Sequence, residues 1–308
     1  MREMFALSTS WNASRHSRAK DIIDEIKSLG FGQVELNFNL TSKMVEDMVS
    51  LKEEGAIEIV SVHNFCPIPE GASRQNASPD MFSLSALDEA ERKKAIDYTK
   101  RTIDTAVRAG AKAVVLHGGK VKVQERIKEL ILFQENRQKY NELRQQMLKE
   151  RQGKSKDFFN QTLRSLEELC RYAQRQEVKL GIENRYYFSE IPDFKEMEII
   201  LATFSGGPLY YWHDVGHAQV YEYLGFIKHK EILDKFADGM VGIHLHDVEG
   251  IDDHRAPLKG KFDFSLLKPY LKKETLKVLE PHYPATKKEV LEGKRYLEEL
   301  FEKVGSEK

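Results

Sequence analysis

Two cysteines in 308 residues, Cys66 and Cys170, are too few and too far apart in sequence to suggest a disulfide framework, as expected in a reducing compartment. No apolar stretch approaches the ~20 residues needed to cross a bilayer. The opening residues MREMFALSTSW lack the basic start and apolar run of a secretory leader. A cytoplasmic protein without membrane association is therefore expected. Excess charge of either sign is missing too: 48 Lys and Arg against 49 Asp and Glu leave a net charge of −1. That balance argues against a strongly basic nucleic-acid binder or an acidic disordered tail, while leaving local patches open. No glycine-rich phosphate turn follows the first strand, and no internal repeat or low-complexity tract is evident.

What the chain does have is a series of short apolar runs that each stop at a potential metal ligand. IEIVSVHNF, AVVLHG, KLGIENR, LYYWHDVGH, GIHLHD and KVLEPH place His63, His117, Glu183, Asp214, His244 and Glu280 where a strand ends. Strands are expected at Met4–Thr9, Gln33–Leu36, Glu58–His63, Ala113–His117, Lys179–Glu183, Leu209–Trp212, Val241–His246 and Leu276–Glu280. Helical patterns fall at Arg18–Leu29, Ser42–Glu54, Leu87–Ala109, Ser155–Arg175, Phe194–Thr203, Tyr221–Phe236, Ser265–Leu271 and Lys287–Val304. Strands alternating with helices in this number predict an α/β fold, a (β/α)8 TIM barrel built as one domain over 1–308. A doubly wound open sheet is the alternative, and the missing phosphate turn counts against it.

In such a barrel the C-terminal strand ends meet at one mouth, where catalytic sites are built. The period-two alternation of a strand agrees with that placement. Ile182 opposes Gly181 and Glu183, Ile243 and Leu245 oppose His244 and His246, and Leu279 opposes Val278 and Glu280. Apolar side chains then face the helices, and ligand types face the axis. Gln33 and Glu35 point inward by the same rule. Asp214-x-x-His217 and Asp252-x-His254 add two carboxylate–imidazole pairs, a chemistry that suits zinc, manganese, iron or cobalt. A buried unpaired carboxylate costs several kcal/mol, so Glu183 and Glu280 at the ends of apolar runs each call for a cation. The residues alone thus indicate a metal-dependent barrel enzyme.

Blander readings apply to the rest. A lone strand-end histidine is usually a hydrogen-bonded core residue, and His213, His229 and His282 read as surface or loop histidines. His246 shares a face with His244 and reads as a support for the ligands. Trp11 follows the first strand and would wall a pocket or simply pack. Arg185 and Arg255 are candidates for binding substrate oxygens or phosphate. Cys66 reads as a small buried filler. Gly119–Gly153 is an insertion after the fourth strand, rich in helix formers. From Lys120 to Lys156 it carries eleven Lys and Arg against five Glu. It reads as a helical hairpin on the barrel rim, with a basic arm for phosphate or nucleic acid as the sharper alternative.

The set SVHNF, VVLHGG, GIENR, HDVGH, GIHLHD, DDHRAPLKGKFDF and VLEPHY resembles the xylose isomerase-like, AP endonuclease family 2 TIM barrels. These include endonuclease IV, sugar-phosphate isomerases and sugar epimerases. The likeness runs from the first strand to Glu280, the insertion excepted. It implies one divalent ion, zinc or manganese, on Glu183, Asp214, His244 and Glu280. In the trinuclear zinc members His63, His117, His217, Asp252 and His254 join. One ion then takes His63, His117 and a shared Glu183, and a third takes His217, Asp252 and His254. The family's glycine-rich turn after D-x-H stands here as Pro257-Leu258-Lys259-Gly260, so a one-residue slip would put Asp253 in place of Asp252.

The resemblance implies a metal-dependent isomerase or epimerase of a sugar or sugar phosphate. Glu183 and Glu280 would move the proton, and Trp11, Arg185, His246 and Arg255 would meet the substrate. The alternative is an endonuclease IV-like phosphodiester hydrolase acting on DNA. The complete ligand set favours that alternative, whereas the first-strand LSTSW and the long insertion favour the small-molecule branch.

Overall fold

The computed structural model describes residues 5–302. Met4 and Val304, at the two ends of the expected elements, lie outside them. Eight parallel strands close into a barrel. They are β1 (Ala6–Ser8), β2 (Gln33–Leu36), β3 (Glu58–His63), β4 (Ala113–Leu116), β5 (Lys179–Glu183), β6 (Leu209–Asp214), β7 (Met240–Leu245) and β10 (Leu276–Leu279). The seam is β1 beside β10, with Ala6 opposite Val278. A short antiparallel hairpin, β8 (Asp247–Glu249) and β9 (Asp252–Arg255), rises from the mouth after β7. The helices are α1 (Ala19–Ser28), α2 (Ser42–Glu53), α3 (Glu89–Ala109), α4 (Ile127–Leu132), α5 (Arg137–Gln176), α6 (Phe194–Thr203), α7 (Val215–Tyr223), α8 (His229–Phe236) and α9 (Lys287–Glu302).

Strand alternation sorts the apolar side chains into two cores. Leu7, Val62, Val114, Ile182, Ile243 and Leu279 belong to the large core beneath the helices. Ala6, Val60, Ala113, Val115, Trp212, Val241 and Val278 form a separate small cluster inside the barrel. Trp212 is fully buried, and its bulk is accommodated by glycine on both neighbouring strands. A Cβ on Gly242 would sit 2.1 Å from the indole Cζ3, and one on Gly181 would sit 2.9 Å from Cε3. The indole lies 5.0 Å from the His244 ring and forms the floor under the mouth.

Three elements differ from expectation. The insertion is not a separate hairpin: α5 runs unbroken for 40 residues through Gly153. A single helical glycine costs only ~1 kcal/mol against alanine. Arg151 holds the helix at that point, its guanidinium paired with Glu196 at 2.7 Å and Asp193 at 2.9 Å. Further along the rim, Tyr140 Oη donates to the Leu224 carbonyl at 3.1 Å, and Arg144 donates to that of Gly225. The expected helix Tyr221–Phe236 is instead α7 and α8, separated at Gly225, whose φ of +65° stops the first. Ser265–Leu271 yields only a 3-10 turn, Phe264–Leu267. Among the described residues no helix is long and apolar enough to cross a membrane.

Candidate metal centre

Asp214 has two duties that arise from its place in the chain. It ends β6 and caps α7, its Oδ1 accepting from the His217 backbone N–H at 2.7 Å. The cap puts His217 on the first helical turn beside the mouth and leaves Oδ2 facing His244 Nδ1 at 3.7 Å. Gly216 lies between them because nothing larger fits: a Cβ there would be 2.2 Å from His246 Cε1.

His244 is the centre of the cluster. Its Nδ1 lies 2.8 Å from Glu183 Oε1 and 3.1 Å from Glu280 Oε2. Its Nε2 lies 3.1 Å from Glu35 Oε1, and Glu35 also accepts from Ser61 Oγ at 2.8 Å. Four further histidines follow one pattern, with Nδ1 held and Nε2 left for the site. Nδ1 of His63 donates to the Asn64 carbonyl at 3.0 Å, that of His217 to the Asn184 carbonyl at 2.9 Å, and that of His254 to the Glu280 carbonyl at 3.1 Å. Nδ1 of His117 donates to Asp80 Oδ1 at 2.8 Å while Nε2 reaches Glu183 Oε2 at 3.1 Å. Ligating imidazoles are characteristically oriented this way, by a carbonyl or carboxylate on the far nitrogen.

Among the described residues five groups of donor atoms come within 4.8 Å of one another: His63, His117 and Glu183; Glu183, Asp214 and His244; Glu35, His244 and Glu280; His246, His254 and Glu280; and His217, Asp253 and His254. In the last, Nε2 of both histidines is 3.7 Å from Asp253 Oδ2. His246 stays a support. Its Nδ1 accepts from the His254 backbone N–H at 2.8 Å, so its Nε2 carries the proton and donates to Asp214 at 3.0 Å.

Glu35, Glu183, Asp214 and Glu280 are all buried around one imidazole. Burial pushes the Glu183 carboxyl upward, but the imidazoles of His117 and His244 hold it well below the usual range. Asp214 is likewise held low against burial, by His217 and His246. Glu280 goes the other way, to about 8: burial and the carboxylates of Glu35, Glu183 and Asp214 outweigh His244. Mutually repelling buried carboxylates with free imidazole nitrogens form a donor set that divalent cations fit. Above it opens a cavity of about 300 Å³. Arg185 is the one lysine or arginine in its wall among the described residues, with Nη1 on Glu183 at 2.6 Å and Nη2 on Glu190 at 2.8 Å.

His63, His117, Glu183, Asp214, His217, His244, His254 and Glu280 are thus brought together. Asp252 is not. It faces solvent and pairs with Arg255 at 2.9 Å, while Asp253 turns inward. The cause is local: His254 has a φ of +51°, which breaks the alternation that would have put Asp252 and His254 on one face. Arg255, paired with Asp252 and with Glu249 at 3.5 Å, is not in the cavity wall. Neither is Trp11, which is fully buried and donates from Nε1 to the Ala285 carbonyl at 2.9 Å. His213 on β6 and His229 on α8 are instead buried partners, Nε2 to Nε2 at 2.9 Å, while His282 keeps the expected loop position after β10 and lines the cavity. Of the residues not singled out for the site, Glu35 was legible from its inward register. Asn184, whose Oδ1 accepts from the Asp214 N–H at 2.8 Å, was visible only as part of GIENR. Asp80 lies in an aperiodic loop that carries no signal.

Fold and donor set together define a (β/α)8 barrel with a candidate metal centre at its C-terminal mouth. The chain belongs to the xylose isomerase-like TIM-barrel family, whose model matches residues 23–300. An uncharacterized protein of Methanocaldococcus jannaschii, MJ1614, is 24% identical over 243 residues, covering 75% of this chain and 76% of its own. Among solved structures, an L-ribulose 3-epimerase superposes with a TM-score of 0.69 at 12% identity, covering 99% of this chain and 96% of that one. The IolI protein with a bound zinc atom superposes with a TM-score of 0.66 at 16% identity, over 98% and 99%.

Proposed function

We propose that this protein is a metal-dependent isomerase or epimerase of a small sugar or sugar phosphate. One observation carries the reading. Glu183 on β5 and Glu280 after β10 approach the same His244 nitrogen, at 2.8 and 3.1 Å, directly beneath a sugar-sized cavity. Glu183, Asp214, His244 and Glu280 would hold a divalent ion, zinc or manganese, which when bound supplies polarisation of a carbonyl–hydroxyl pair and so acidifies the neighbouring C–H. Glu183 and Glu280, entering from different strands, take the carbon-bound proton from one face and return it on the other. Arg185 braces Glu183 through its 2.6 Å ion pair, and His246 braces Asp214. The zinc-bound neighbour and the epimerase neighbour agree with this reading, as do two buried thiols with a cytoplasmic setting.

The test is solvent exchange. Zinc- or manganese-loaded protein is incubated in D2O with ketopentoses, ketohexoses and their phosphates, and deuterium uptake at carbon is followed by NMR. Uptake into one of them, lost in Glu183→Gln and Glu280→Gln, supports the reading; no uptake into any of them sinks it.

A second reading, phosphodiester hydrolysis on several ions, is favoured by the group His217, Asp253 and His254, which a single-ion site does not need. Against it stands a cavity wall carrying Asp80, Glu190 and Asp253, with its one arginine already paired, a poor surface for a DNA backbone. Three ions per chain together with cleavage of an abasic oligonucleotide would establish it instead.

A further inference from the structure

Asp80 sits in the long connection between β3 and α3, where no periodicity marked it. The connection is tied down on both sides of it. Arg74 donates to the carbonyls of Asn39 at 3.0 Å and His16 at 2.8 Å, and the Phe82 ring stacks on Tyr98 at 5.3 Å. Between those anchors the Asp80 carboxylate reaches down the cavity wall. Its Oδ1 takes the Nδ1–H of His117 at 2.8 Å, and its Oδ2 lies 3.6 Å from Arg185 Nη2.

The other histidines of the cluster are held from behind by main-chain carbonyls or, for His244, by the strand-borne Glu35. His117 alone among these five is oriented by a carboxylate on a connection outside the barrel. The imidazole sits between two carboxylates, Asp80 on Nδ1 and Glu183 on Nε2 at 3.1 Å. A proton kept on Nδ1 leaves the Nε2 lone pair facing Glu183 and His63, the geometry a ligand needs. Without Asp80 the ring would be free to turn over. Arg185 would not follow it, because Glu183 at 2.6 Å and Glu190 at 2.8 Å keep its guanidinium in place.

We propose that Asp80 is a positioning residue for a divalent cation held by His63, His117 and Glu183, acting through the orientation of His117. This inference rests on the metal centre argued above, but not on the sugar chemistry. Loss of such a carboxylate behind a ligating histidine lowers metal affinity roughly 10–100-fold.

The experiment is a zinc titration of the full chain against a chromogenic chelator, with zinc counted by elemental analysis. It compares wild type, Asp80→Ala, Asp80→Asn, His117→Ala and the double variant Asp80→Ala with His117→Ala. Asp80→Ala is expected to weaken one ion by about 10–100-fold. Asp80→Asn, which keeps an acceptor for Nδ1–H, should lose less. In the His117→Ala background, removal of Asp80 should cost nothing further, a non-additivity that a general structural role would not produce. The carboxylate is a third exposed, so the metal-free Asp80→Ala variant should still fold, as read by circular dichroism. Unchanged zinc affinity in Asp80→Ala, or penalties that add in the double variant, overturns the proposal and leaves the metal centre standing. A wild-type chain that binds no zinc overturns both.

Discussion

Glu35 grips His244 from behind: its Oε1 lies 3.1 Å from Nε2, while Nδ1 on the far side meets Glu183 at 2.8 Å. The second strand, which offers no ligand of its own to the sequence pattern, therefore sets how the central imidazole is turned. Glu35→Gln keeps the shape but weakens the charge-assisted bond. It should lower metal affinity by about tenfold or more, read by competition with a chelator, while the chain still folds by circular dichroism. Wild-type affinity in this variant would mean that packing against Trp212 alone orients the ring.

The two neighbouring aspartates on β9 should separate cleanly. Asp253→Asn is expected to lose the ion that His217 and His254 would share, and Asp252→Asn to keep it. Zinc counts on the purified variants decide the matter, and the reverse result would restore the D-x-H register read from the sequence.

Either acid–base carboxylate should be indispensable. In Glu183→Gln and Glu280→Gln, deuterium exchange into the substrate is expected to fall by roughly 10²–10⁴-fold, the scale of a lost general acid–base group. Near-native exchange in one of them would remove it from the proton path.

Metal uptake should depend on pH with a definite sign. In the metal-free protein Glu280 is raised from 4.5 to about 8 and His117 from 6.5 to about 9, burial opposing the charged form of each and Asp80 and Glu183 favouring the His117 cation. Both groups hold protons at neutral pH that an incoming ion must displace. Zinc binding at pH 7 should therefore release protons, measured by calorimetry in buffers of different ionisation enthalpy, and affinity should climb towards pH 9. The stability these raised groups confer on the metal-free fold is full below pH 4.5 and is lost progressively up to about pH 9, between 4.5 and 8 for Glu280 and between 6.5 and 9 for His117. Its melting temperature should fall over that window.

The barrel floor is equally testable. Gly242→Ala drives a methyl group into the Trp212 indole, and overpacking of this kind costs about 1–3 kcal/mol. A lower melting temperature is expected; an unchanged one would show that the indole can move.

Much of this arrangement is legible in the sequence. β2, β3, β5 and α6 fall on their expected bounds, because alternation and caps such as the Asp193–Glu196 box are local signals. The strand-end donors that gather at the candidate centre were legible for the same reason, since a carboxylate ending an apolar run has few other uses. What escaped depends on geometry across the chain. Asp253 rather than Asp252 faces the cavity because His254 adopts a left-handed backbone. Asp80 reaches His117 across 37 positions from a loop without periodicity. His213 and His229 find each other through the α7–α8 turn, which the sequence pattern ran together as one helix.

Trp212 and its small aliphatic neighbours plug the barrel interior beneath the candidate centre. The cavity above it, lined in part by Tyr186, Tyr187 and His282, forms a throat over the candidate centre. Substrate and product of the proposed reaction would share that cavity, so product inhibition should be competitive. A ligand lodged in that throat would also cork it and slow the escape of any ion held beneath.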